Sequence, residues 1–149
     1  MKKPELLAPV GGRQQLKAAI DNGADAVYMG GSLFNARIKA DNFGGNDLQE
    51  AIDYAHERNV KVYITLNTLI RDSELSRAFE YACRLYEMGA DAVILQDMGL
   101  ARLIHRYLPD FTMHLSTQGT VYNVHALELV RQLGFRRIVP ARELSLEEI

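Results

Sequence analysis

Apolar residues recur three or four positions apart along several stretches of the chain: Leu16, Ala19 and Ile20; Leu48, Ile52 and Ala55; Leu75, Phe79, Ala82 and Tyr86; Leu127, Val130 and Leu133. That spacing puts each set on one helix face. Behind each stands a residue that tolerates the left-handed backbone of a helix end: Gly23, Asn59, Gly89 and Gly134 in turn. A short apolar run of β type follows every one of them, over residues 26–29, 60–66, 92–95 and 137–139, and residues 6–8 and 111–115 supply two more. Helix starts are marked as clearly. Asn46 with Gln49 reads as a capping box, Asp72 or Ser73, Asp97 and Asn123 can cap three further helices, and Pro109 closes the fourth after Leu108.

One sequence word is repeated. Gly23-Ala24-Asp25-Ala26-Val27 returns as Gly89-Ala90-Asp91-Ala92-Val93, and Gly134-Phe135-Arg136-Arg137-Ile138-Val139 is a looser copy. Strand followed by helix, five times over, predicts parallel pairing through right-handed crossovers. A doubly wound open sheet fits this length, whereas a (β/α)8 barrel needs about 250 residues. The ending arbitrates, because Ser145 and Glu148 form the capping box of another helix at the point where the sequence stops. The expected fold is therefore α/β, a partial (β/α)8 TIM-type barrel of about six parallel strands and five helices, cut at the start of the sixth helix. Residues 1–149 are then the N-terminal portion of a single barrel domain whose remainder is absent. Val62, Ile64, Val93 and Leu95 read as inner-face residues meant to pack on strands seven and eight. The open edges predict a homodimer.

Composition changes little in this picture. With 48% hydrophobic and 24% charged residues in 149, the chain resembles one ordinary globular domain and not a disordered segment. Lys plus Arg number 17 against 19 acidic residues, so no overall basic excess points to nucleic acid. The one cysteine, Cys83, excludes an internal disulfide and points to a reducing compartment. The apolar run at residues 6–10 is too short for a signal peptide or a membrane span. The expectation is a soluble cytoplasmic protein with no membrane partner.

In such a barrel, chemistry sits at the carboxyl ends of the strands. Gly11-Gly12 follows the first strand, either as an anion-binding nest of N–H groups or as a tight turn needing left-handed angles. After the second, Gly30-Gly31 opens about fifteen residues reaching Asn46, against about four to six in most connections. This stretch holds Phe34, Asn35, Arg37, Lys39, Asn42 and Phe43. The cations suit phosphate, and the two phenylalanines either stack a ring or pin the loop to the rim. Asn67 ends the third strand and Gln96-Asp97 the fourth, Asp97 as a helix cap and the two amides as partners for a substrate carbonyl or amide.

The fifth strand ends in His114-Leu115-Ser116-Thr117-Gln118, the densest polar cluster, with His114 and Ser116 on one face. A serine–histidine pair there lacks a third, orienting acid, and a polar pocket floor is the favoured reading. The sixth ends in Arg142-Glu143, suited to anion recognition and acid–base work or to pairing with one another. Candidate catalytic residues are thus His114, Ser116 and Glu143. Candidate substrate-binding residues are Arg37, Asn67, Gln96, Ser116, Thr117, Gln118 and Arg142. No two of His56, His105, His114 and His125 stand four apart, and Cys83 lies beside the Phe79–Ala82–Tyr86 stripe, so no metal site is expected.

Four segments together carry a resemblance: Pro4-Glu5-Leu6-Leu7-Ala8-Pro9, Gly23-Ala24-Asp25-Ala26-Val27-Tyr28, His114-Leu115-Ser116-Thr117-Gln118 and Ala141-Arg142-Glu143-Leu144-Ser145. In this order and spacing they make the chain resemble the N-terminal half of the collagenase-like peptidase family U-32, over essentially its whole length. The resemblance implies a barrel with a longer C-terminal part and, from the label members often carry, a protease acting on a peptide or protein. Several bacterial relatives instead hydroxylate RNA or quinone precursors, using cysteines that bind an iron–sulfur cluster. That branch implies an RNA substrate and cluster ligands downstream of Ile149, since Cys83 matches none of them. A non-catalytic module that holds protein or RNA through the Arg37 loop is the third reading. No cofactor is expected within these residues, and they alone are not expected to cleave protein.

Overall fold

The computed structural model describes residues 3–36 and 43–149. Along the chain run β1 (Leu7–Val10), α1 (Arg13–Asp21), β2 (Ala26–Gly30), α2 (Asn46–His56), β3 (Lys61–Leu66), α3 (Asp72–Glu87), β4 (Ala92–Leu95), α4 (Met98–Tyr107), β5 (Thr112–Leu115), α5 (Val124–Gln132) and β6 (Phe135–Ile138). The six strands form one sheet in sequence order, every neighbouring pair parallel. A doubly wound sheet reverses its order and carries helices on both faces. Here the order never reverses, and helix residues such as Leu16, Ile52, Leu85, Ile104 and Val130 share one core with a single face of the sheet. Among the described residues this is the singly wound wall of a (β/α) barrel, with the predicted six strands and five helices, open between β1 and β6.

The inner-face expectation was of the wrong parity. Val62, Ile64, Val93 and Leu95 are wholly buried against the helices, in the large core. The lumen is lined instead by Ala26, Tyr63, Ala92 and Ile94, with Leu7 and Tyr28 packed beside them. A strand covered on both faces reads as one continuous apolar run, so hydropathy does not reveal which alternate set points inward.

The predicted helix ends are found as read: Gly23, Gly89 and Gly134 have φ of 85°, 84° and 92°, and Asn59 has 57°. The repeated word does a second job through its aspartate. Asp25 accepts the N–H of Leu6 at 2.8 Å, and Asp91 accepts that of Val62 at 2.8 Å, so each ties its own strand to the one before. The looser third copy has Arg136 in that place, and there the β5–β6 register slips between Met113 and His114. Such an irregularity re-aims the strand. Phe135 packs in the helix-side core while Arg137 turns into the lumen.

Starts of helices are found in part. Asp97 accepts the N–H of Leu100 at 2.8 Å, and Asn123 that of Ala126 at 3.0 Å. The Asn46–Gln49 box is not formed: Gly45, at φ 49°, precedes the helix, and Gln49 bonds Asp53 at 2.9 Å. At α3 the first position falls to Arg71, whose N–H meets Glu74 at 3.1 Å. Neither Gly11 nor Gly12 is left-handed, and Gly12 is fully extended at φ −177°, so the tight-turn reading does not hold. Phe34 and Phe43 pack into the core, pinning the ends of their loop, while Arg37, Lys39 and Asn42 lie outside the described residues. Among the described residues no helix is long and apolar enough to cross a membrane.

Candidate functional site

The lumen has two storeys. In the lower, Glu5 reaches across from just before β1, and Arg137 Nη1 donates to its carboxylate at 2.6 Å. The Tyr63 hydroxyl donates to the same carboxylate, lying 2.9 and 3.0 Å from its two oxygens. The Tyr63 ring meets that of His114 edge-on, with centroids 4.7 Å apart. Protonation follows from this geometry. The Arg137 guanidinium holds the Glu5 carboxyl below its ordinary range, against the opposing pull of burial. Burial, helped by the adjacent carboxylate, pushes Tyr63 up to about 12. Burial, reinforced by the charge of Arg137, takes His114 down to about 4. At neutral pH the imidazole is therefore uncharged and Tyr63 is a donor.

Above this floor a cleft of about 360 Å³ opens at the strand carboxyl ends. Leu7, Tyr28, Ile94 and Val139 supply its apolar surface, while Asn35, Thr65, Asn67, Ser116, Thr117, Gln118 and Arg142 supply its polar surface. The walls are braced from within. Thr65 Oγ1 lies 3.1 Å from Asn35 Oδ1 and 3.2 Å from the Met29 carbonyl. Asn67 Oδ1 accepts the N–H of Ala36 at 3.1 Å. Ser116 Oγ accepts the N–H of Gln118 at 3.3 Å. Arg142 is exposed and has no carboxylate partner among the described residues.

Of the sequence-predicted binding residues, Asn67, Ser116, Thr117, Gln118 and Arg142 therefore line one concavity. Gln96 is not among the lining residues, and its amide donates to the Asn67 main-chain carbonyl at 3.0 Å. Arg37 falls outside the described residues. Among the catalytic candidates, Ser116 lines the cleft, His114 belongs to the floor beneath, and Glu143 is exposed outside the lining, unpaired with Arg142. No hydrogen bond joins Ser116 to His114; the serine oxygen serves Gln118 and the imidazole faces Tyr63. Sequence reasoning passed over Glu5, Tyr28, Tyr63, Thr65, Ile94 and Arg137. Counting back in twos from Asn67 reaches Thr65 and Tyr63, so the strand period was the available signal.

An iron–sulfur cluster is held by several thiolates. Cys83 is half-buried on α3, and burial together with Glu87 and Glu80 pushes its thiol up, away from the thiolate form. Among the described residues no three His, Cys, Asp or Glu side chains gather as a ligand set. These residues do not fit the cluster.

Comparison with known proteins bears on the whole length. The family model described as peptidase family U32 matches residues 11–149. The 23S rRNA 5-hydroxycytidine C2501 synthase of Escherichia coli strain K12 is 41% identical over 145 residues, 97% of this chain and 22% of that protein. The tRNA hydroxylation protein P of the same organism is 36% identical over 149 residues, 100% of this chain and 33% of that protein. The chain thus spans a third or less of the length of these two curated relatives. A solved structure of a U32 peptidase superposes with a TM-score of 0.72 at 12% identity, over 93% of this chain and 58% of that one, a likeness of fold.

Proposed function

The chain belongs to peptidase family U32, and on that footing we propose that it serves the hydroxylation of tRNA or rRNA in the cytoplasm, with RNA entering the cleft at the strand carboxyl ends. The observation that carries this reading is the cleft itself, which offers amides, hydroxyls and a guanidinium unpaired among the described residues, without a joined serine–histidine pair. RNA recognition asks for donors and acceptors on base edges and a cation for phosphate. Asn67, Gln118 and Arg142 supply those groups. Proteolysis asks for a nucleophile activated by a base. His114, at about 4 and turned to Tyr63, is a weak base in the wrong place. The similarity to two proteins named for rRNA and tRNA hydroxylation supports the same choice.

In this reading the residues here bind and orient. The Asn67 side chain is fixed by the Ala36 N–H and its main chain by Gln96, which holds its amide in place at the rim. The neutral His114 and the Glu5–Tyr63–Arg137 network close the lumen beneath, which keeps a ligand in the upper storey. We assign cluster ligands to the part of the relatives' length that this chain does not span. The test is mass spectrometry of nucleosides from tRNA and rRNA of cells with and without the gene. A hydroxylated nucleoside that disappears on deletion and returns with the gene is the expected result. Unchanged nucleosides, together with casein turnover abolished by Ser116→Ala, would replace it with the peptidase reading.

A further inference from the structure

We propose that the protein binds inorganic phosphate in a second cavity, at the amino ends of β5 and β6 and so at the opposite end of the strands from the cleft. This cavity measures about 210 Å³, and His105, Asp110, Thr112, Gly134 and Arg136 are among its lining residues. It falls below the roughly 300–1,000 Å³ usual for small-molecule sites, which leaves room for a small ion. The repeated word shows what this place in the fold holds elsewhere. Just before β4, the Asp91 carboxylate meets both the Val62 N–H and His56 Nε2, each at 2.8 Å. His56 is the last residue of α2, the helix that leads into the neighbouring strand. Before β2, Asp25 likewise takes the Leu6 N–H and lies 3.6 Å from Lys3 Nζ. In the third copy Arg136 stands where the aspartate was, while a histidine, His105, again lies in the last turn of the helix leading into the neighbouring strand. The cation has been kept, and the built-in anion has been exchanged for a second cation.

The lining is arranged for an ion between its side chains. A Cβ on Gly134 would lie 2.4 Å from His105 Nδ1, so only glycine, left-handed here at φ 92°, lets the imidazole rest against this turn. Among the described residues neither His105 nor Arg136 forms an ion pair, although Asp110 lines the same cavity. The surroundings favour an anion. Residues 98–142 carry six arginines against two acidic residues, Asp110 and Glu128, in a chain of net charge -2. Of those arginines only Arg137 is in an ion pair among the described residues. Asp110 then selects the anion. Guanidinium and imidazole donate, whereas a carboxylate only accepts, so an anion that meets all three must carry a hydrogen of its own. Phosphate keeps one at neutral pH; sulfate, acetate and the diesters of RNA have none. A bound phosphate ties α4 to β6 as the Asp91 carboxylate ties α2 to β4.

The purified protein is titrated by calorimetry with sodium phosphate, sulfate and acetate at neutral pH and constant ionic strength, and its melting temperature is followed over the same range. Phosphate is expected to bind at least about tenfold more tightly than sulfate or acetate, one charge-assisted hydrogen bond's worth, and to raise the melting temperature as a ligand of the folded state does. Arg136→Gln and His105→Gln, both at exposed positions, should each weaken phosphate binding by about tenfold or more and remove the rise. Asp110→Asn, also exposed, should erase the preference for phosphate over sulfate, because an amide donates as well as accepts; a loss of folding would not produce that exchange. Arg142→Gln should bind phosphate as the wild type does, and an RNA oligonucleotide without terminal phosphates should not displace the ion. No phosphate binding, equal affinity for sulfate, binding indifferent to Arg136→Gln and His105→Gln, or a preference that survives Asp110→Asn would overturn the proposal. Binding lost in Arg142→Gln would overturn it in favour of the cleft, and displacement by the oligonucleotide in favour of the RNA backbone.

Discussion

Replacing Arg137 with Met tests whether the lower storey holds the arc of strands together. Removing one partner of a fully buried ion pair costs about 3–5 kcal/mol, and an exposed pair is worth about 0–1 kcal/mol. The Glu5 and Arg137 side chains are 24% and 39% exposed, so this pair lies between those limits. Tyr63 continues to donate to Glu5 after the substitution, which moves the expectation to the lower part of the range. We expect a loss of about 1–2 kcal/mol, and with m near about 2 kcal/mol/M the urea midpoint falls by about 0.5–1 M. The double variant Glu5→Gln with Arg137→Met should lose less than the sum of the two single variants, by about 1 kcal/mol. Acid supplies the sign. Because the folded state depresses the Glu5 carboxyl, its contribution is complete above about 4.5 and disappears as pH falls through the lower folded value. The variant should lack that acid-side loss. A midpoint at pH 7 within about 0.2 M of the wild type, or an acid limb of unchanged shape, would refute the argument.

Three further outcomes are expected, two from particular side chains and one from the open strand edges. His114→Phe should flatten the fall in stability between pH 6.5 and about 4, because the folded imidazole resists a proton that the unfolded one accepts; a parallel pH profile in denaturant melts contradicts this. The Tyr81 hydroxyl is buried near Ser32 without a well-formed hydrogen bond among the described residues, and a Cβ on Gly31 would lie 1.8 Å from it. Tyr81→Phe should therefore be neutral or stabilising by up to about 1 kcal/mol, Gly31→Ala should cost about 1–3 kcal/mol, and the pair together should recover part of that cost in thermal unfolding. Sedimentation at low micromolar concentration should show a dimer joined across the outer edges of β1 and β6; a stable monomer with a cooperative melt would show that those edges are tolerated.

Local signals carried the fold. Left-handed helix ends at Gly23, Asn59, Gly89 and Gly134, the caps at Asp97 and Asn123, and the alternation of periods were all readable, because each depends on residues a few positions apart. The rim residues Asn67, Ser116, Gln118 and Arg142 were readable for the same reason, since a strand's carboxyl end is a place in the sequence. What escaped depends on distant partners. The inward set of β3 and β4 was inverted because both faces of those strands are buried. Arg137 points inward only through the slip against β5, a matter of register between two strands. Glu5, Tyr63, His114 and Arg137 come from four separate places along the chain, and nothing local to any one of them marks the other three.

The order of strands has a consequence for synthesis on the ribosome. Each strand pairs with its neighbour in sequence, so a newly made unit finds its place on the unit just before it. The Glu5–Arg137 bond spans 132 residues and must wait. At about 5–20 residues per second, roughly 7–25 s pass between the making of one partner and the other. Through that interval Glu5 has the Tyr63 hydroxyl as its partner but not the guanidinium, and the open edge of the arc is where each further strand pairs. The lumen floor sets only when β6 has emerged.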